Sequence, residues 1–190
     1  MDLTSPAPVT LRPLDEALLD ALLATAAADA DPGEVMPPTE GEEEGEGGAG
    51  WTDARREAFL RFHRARSLCA EPVETVYAVV VTEPGEDGRP EEAVAGAARL
   101  APLPEPGAVE AGVWLGRSHR GRGVGTAVFA LLLDAAREGG ATRLLARTSA
   151  ANAATRRLLA AAGADLVRRE GPDGATVTAW LPLTGRSRTA

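Results

Sequence analysis

The sequence predicts a mixed α/β fold, a central and mostly antiparallel sheet with helices on both faces. Short β-rich runs alternate with stretches whose apolar residues recur at helical spacing. Three of those runs follow one another with only turn-forming residues between them. A glycine-dense turn at 120–127 then opens the most regular helical pattern in the chain. With 190 residues the chain is long enough for one domain, 1–190, with a sizeable core. Its 44% hydrophobic and 25% charged residues are a globular balance, and at 4% aromatic the core must be built mostly from Leu, Val and Ala.

Residues 9–11 read as a first strand, followed by Leu14, Leu18, Leu19, Leu22 and Leu23 at helical spacing. Thr52 can cap a second helix to about Leu68, with Phe59 and Phe62 on one face. Strands at 73–82, 93–100 and 108–115 form an antiparallel meander, the first connection carrying Pro-Gly and Asp-Gly steps. From 124 to 138, Val124, Ala127, Val128, Leu131, Leu132 and Ala135 mark one helical face, and Gly139-Gly140 ends it. A buried strand at 143–148, a short helix from Asn152 to Gly163, and strands at 165–170 and 175–183 complete the order. Residues 185–190 are a tail.

The formal charge is −8, and 29–50 holds eight acids (Asp29, Asp31, Glu34, Glu40, Glu42, Glu43, Glu44, Glu46) and no base. This acidic, Gly/Glu-rich segment reads as a mobile loop. All 20 basic residues are Arg, dispersed rather than striped, which argues against nucleic-acid binding. The N-terminus lacks a secretory pattern and no run is long enough to span a membrane, so a cytoplasmic, membrane-free protein is expected. Cys69 is the single cysteine, expected as a buried or idle thiol, and neither His63 nor His119 has partners at metal-ligand spacing; no metal is expected. His63 reads as packing, His119 as a solvated turn residue, and Trp114 and Trp180 as sheet packing.

The chemistry concentrates in Arg120-Gly-Arg-Gly-Val-Gly-Thr-Ala127. Glycines let the backbone approach a ligand, and helix-start amides lack internal partners, so the turn can cradle a phosphate, with Arg120 and Arg122 as countercharge. A Walker A loop needs Lys, and the chain has none. The dinucleotide fingerprint belongs early in a βαβ unit, whereas these glycines follow a meander.

Arg120-x-x-Gly123-x-Gly125 resembles the pyrophosphate loop of the GNAT acetyltransferases. Asn152, with Gly163 eleven residues on, resembles that family's pantetheine-holding segment. The resemblance implies a GNAT-like fold and acetyl-CoA as cosubstrate. It places the pantetheine along Val113, Trp114 and Leu115 and beside Asn152, and the pyrophosphate on the amides of Gly121, Arg122, Gly123, Val124, Gly125 and Thr126. The implied reaction is direct acetyl transfer to a primary amine in a ternary complex, the acceptor being a small molecule or peptide; a homodimer is compatible with it.

The family's acidic tyrosine position is Leu159 here, and Leu cannot donate a proton. Thr155, Ser149 or a water are the candidate acids, or no acid is needed, since Tyr77, the single tyrosine, lies on another strand. Glu110, in Glu110-Ala-Gly-Val-Trp-Leu115, is the candidate base; similar strands occur in relatives resembling the ribosomal-protein-acetylating enzymes. Deprotonating an aliphatic amine at pH 7 costs about 4 to 5 kcal/mol, against about 1 for an α-amine, so an α-amine tolerates a poor base. Two alternatives stay open: a non-catalytic acyl-CoA-binding module, and an NADP-binding oxidoreductase using Arg122 or Arg147 on a 2′-phosphate. The acidic segment falls where family relatives line the acceptor entrance, so it can attract a cationic acceptor such as an aminoglycoside, polyamine or basic N-terminal peptide. A solvated spacer is the alternative.

Overall fold

A computed structural model of the chain describes residues 7–36, 50–85, 87–172 and 174–183. The tail at 185–190 and residues 37–49 of the acidic segment lie outside them. The strands are β1 (Val9–Pro13), β2 (Thr75–Pro84), β3 (Pro90–Pro102), β4 (Ala108–Leu115), β5 (Arg143–Ser149), β6 (Asp165–Arg169) and β7 (Thr176–Pro182). The helices are α1 (Glu16–Asp29), α2 (Pro32–Val35), α3 (Asp53–Ser67), α4 (Val124–Glu138) and α5 (Ala153–Ala161).

The strands make one mixed sheet in the order β1-β2-β3-β4-β5-β7-β6. β1 runs antiparallel to β2, with Leu11 opposite Val79. β4 and β5 are parallel, Glu110 opposite Leu145. β7 then inserts between β5 and β6, antiparallel to both. The described residues fall into two compact units interleaved along the chain, within Met1–Ala98 plus Val113–Val128 and within Arg99–Gly112 plus Phe129–Ala190.

In the first unit Leu19, Leu22 and Ala26 bury one face of α1 against Phe59, Val76 and Ala97. Asp15 caps α1 by accepting the Leu18 amide at 2.8 Å, and Thr52 caps α3 by accepting the Arg55 amide at 3.3 Å. The beginning of the expected loop is regular here. Asp29 ends α1, Pro32 opens the four-residue α2, and Met36 is buried in the core. Proline at a first helical turn and two apolar anchors, Val35 and Met36, outweigh the local charge. Gly96 of β3 permits a close strand approach: a Cβ there would lie 2.1 Å from the Trp114 carbonyl oxygen, and its φ is +155°.

In the second unit Leu144, Leu145 and Ala146 are buried consecutively, the signature of a strand covered on both faces. α5 anchors itself through Leu159, which is 1% exposed. Every residue of β6, the edge strand, is exposed.

Candidate active site

The glycine-dense turn lies in the first unit. β4 ends at Leu115, a 3-10 turn covers Arg117–His119, and α4 starts at Val124. Gly121 and Gly123 have φ of +73° and +83°, the left-handed region that glycine adopts without strain. The Gly123 carbonyl accepts the amides of Thr126 at 3.1 Å and Ala127 at 3.2 Å. The amides of Val124 and Gly125 precede any helical acceptor and point out of the helix start. Among the described residues a Cβ on Gly121 would meet nothing within 4 Å, so these leave open space at the turn. Val124 is buried and pins the start of α4, and Gly125 approaches the Leu115 side chain.

Arginines surround this turn, each with an acidic partner. Arg120 donates through Nε to the Leu115 carbonyl at 2.9 Å and pairs with Glu34 at 2.7 Å. Arg117 pairs with Asp31 at 2.7 Å and Arg122 with Glu83 at 2.8 Å. Asp29 accepts the Ser118 hydroxyl at 2.6 Å and its amide at 2.9 Å. The Ser118 hydroxyl holds the Asp29 carboxyl below its usual range, and the Arg120 guanidinium does the same for Glu34. His119 is part of this network, its Nδ1 3.0 Å from the Ser118 hydroxyl. Open space, first-turn amides and three guanidiniums suit a diphosphate.

Residues 9–165 match the family model of the acetyltransferase (GNAT) domain. The chain belongs to the GNAT acetyltransferase family. Solved structures share the fold: a dodecameric spermidine N-acetyltransferase from Vibrio cholerae is 12% identical with a TM-score of 0.62, covering 96% of this chain and 98% of that one. The yncA protein from Salmonella typhimurium, solved with acetyl-CoA, is 20% identical with a TM-score of 0.60 over 96% of this chain and 98% of that one. A GNAT-family protein from Chromobacterium violaceum is 21% identical with a TM-score of 0.63, over 95% and 85% of the two chains. No curated protein matched the sequence.

The remaining candidates of this GNAT domain fall into separate groups. Val113 is exposed and Trp114 packs on the first-unit core. In the second unit Glu110 is the centre of a charged cluster, with Oε1 accepting Arg99 at 3.0 Å and Oε2 accepting Arg147. Its side chain is 18% exposed. Gly112 makes room for this, since a Cβ there would sit 2.7 Å from Arg99 Nε. Arg99 is absent from the sequence-derived candidates, and its one signal was a single charge in the apolar run 93–100. Asn152 caps α5, its Oδ1 accepting the Thr155 amide at 3.0 Å, so these two candidates adjoin. Ser149 accepts the Ala151 amide at 3.1 Å.

Other expectations meet the structure variously. Cys69 is exposed, against the buried half of its expectation, and its Sγ donates to the Ala65 carbonyl at 3.2 Å. His63 packs between Phe59 and Phe62. Trp180 lies under the Arg143 guanidinium at 4.4 Å. Among the described residues no helix is long and apolar enough to cross a membrane, and no three His, Cys, Asp or Glu side chains converge on a metal site.

Proposed function

We propose that this GNAT domain transfers an acetyl group from acetyl-CoA to the primary amine of a small molecule or peptide, by direct attack in a ternary complex. The turn at 120–126 carries the reading: left-handed glycines, first-turn amides and flanking arginines in one place. The amides of Gly121 to Thr126, with Arg120 and Arg122, would hold the pyrophosphate, and Val113, Trp114, Leu115 and Asn152 the pantetheine. When bound, acetyl-CoA supplies a thioester activated for transfer. The yncA structure with acetyl-CoA and the spermidine N-acetyltransferase neighbour support the cosubstrate and an amine acceptor.

Glu110 is the proposed base. A carboxylate offers about four lone-pair sites, and Arg99 and Arg147 use one on each oxygen, so Glu110 keeps capacity to take a proton from the acceptor ammonium, directly or through a water. The two guanidiniums fix its orientation. Thr155 is the proposed proton donor at the leaving sulfur, since Leu159, buried in the core, cannot serve.

Turnover of acetyl-CoA against a panel of amines tests the reading, run on the native chain and on Glu110→Gln. The native chain should acetylate at least one amine. The variant should lose about 10- to 100-fold in kcat, most at low pH where the amine is charged, with cofactor affinity unchanged. Binding without turnover of any amine would favour the non-catalytic module, and an unaltered pH–rate profile would remove Glu110 as base.

A further inference from the structure

Arg117, Arg120 and Arg122 surround the phosphate-binding turn, and each is held by a carboxylate from elsewhere in the first unit. Asp31 and Glu34 come from the α2 segment and Glu83 from the end of β2. The Glu34 contact is two-pronged, at 2.7 Å and 3.4 Å, on the guanidinium whose Nε is already committed to the Leu115 carbonyl. A carboxylate fork and a phosphate present the same pair of acceptor oxygens to a guanidinium, so the two compete for it.

We propose that Asp31 and Glu34 are internal competitors for the cofactor's phosphates: they occupy Arg117 and Arg120 in the unliganded protein, and cofactor binding exchanges them for phosphate and releases the α2 segment. This rests on the reading of the turn as the diphosphate site. It deepens that reading by assigning the α2 acids a role in the affinity of the site, in place of steering acceptors.

The pairs are of the right strength for exchange. The side chains of Arg120 and Glu34 are each 43% exposed, those of Arg117 and Asp31 are 51% and 68% exposed, and an exposed pair shifts an equilibrium by at most about five-fold. A diphosphate carries more charge than one carboxylate and also takes the helix-start amides, so it displaces them. The competition therefore lowers affinity modestly without closing the site. A neighbouring acid that merely positioned an arginine would act with the opposite sign, raising affinity.

The test is calorimetric titration of CoA into the native chain, Glu34→Gln, the double variant Asp31→Asn with Glu34→Gln, and Gly123→Glu as control. Removing the competitors should tighten CoA binding about 2- to 5-fold for the single variant and further for the double, the gain shrinking in 1 M salt. Hydrogen exchange in residues 31–36 of the native chain should speed up when CoA saturates it. Weaker or unchanged CoA affinity in the variants, a gain that persists in high salt, or slower exchange at 31–36 would each overturn the proposal. Gly123→Glu separates the two readings: CoA binding that survives it refutes the diphosphate site itself, while binding lost there but unmoved by Glu34→Gln refutes only the competition.

Discussion

Among the described residues His63 has no hydrogen-bond partner on either ring nitrogen, although the residue is 5% exposed. Burial pushes its pKa down from 6.5 to about 4, the nearby Glu74 opposing and Arg66 reinforcing the shift. The folded state therefore keeps the ring neutral while the unfolded chain binds a proton between those values. Stability from this site is complete above about pH 6.5 and is lost as pH falls towards about 4. The loss is about 3 kcal/mol, from 1.36 kcal/mol per pH unit. Glu34 and Asp29, whose carboxyls are lowered, add losses only further down, as pH falls below about 4.5. Replacing His63 with Leu should flatten the limb between pH 6.5 and 4 in urea unfolding; an unchanged limb would show that another group titrates there. That His63 packs rather than reacts was legible in the helical pattern of α3, because periodicity reports which face is buried. Side-chain partners were not legible at this scale: nothing in a lone Arg99 says that its guanidinium reaches Glu110 across a glycine.

Gly96 shows how an element can depend on one atom that is not there. A methyl group in its place would press into the Trp114 carbonyl oxygen at 2.1 Å, which is backbone and cannot swing aside, and φ of +155° is costly for any residue with a Cβ. Gly96→Ala should cost at least about 2 kcal/mol in thermal unfolding, since steric and backbone terms act together. An equally stable variant would mean that β3 and β4 can separate there without loss. The elements themselves were the most legible part of the chain. α4 runs over the span that its apolar spacing and closing glycines predict, and β5 reads as a buried strand from Leu144 and Leu145. α2 was missed because eight acids dominate the composition of 29–50, while Pro32, Val35 and Met36 supply the local start and anchors that composition averages away.

For the whole molecule, the governing feature is charge placed against charge around one turn. Asp29, Asp31 and Glu34 bond Ser118, Arg117 and Arg120, so part of the −8 formal charge is paired around this turn. The sequence made that turn legible because glycine spacing is local, whereas the pairing of Glu34 with Arg120 joins residues 86 apart. We propose that the turn at 120–126 binds the phosphates of acetyl-CoA. The most direct test is the melting temperature with saturating acetyl-CoA, CoA or NADPH, for the native chain and Gly123→Glu. Ligand at 100 times its Kd stabilises by about 2.7 kcal/mol, which corresponds to about 5 to 10 °C for a chain of this length. Acetyl-CoA and CoA should each raise the native melting temperature by that order and NADPH should not. Gly123→Glu, which sets a carboxylate against the bound phosphates, should show no rise from its own lower baseline; the same rise in that variant, or a rise with NADPH alone, would show that the turn does not hold them.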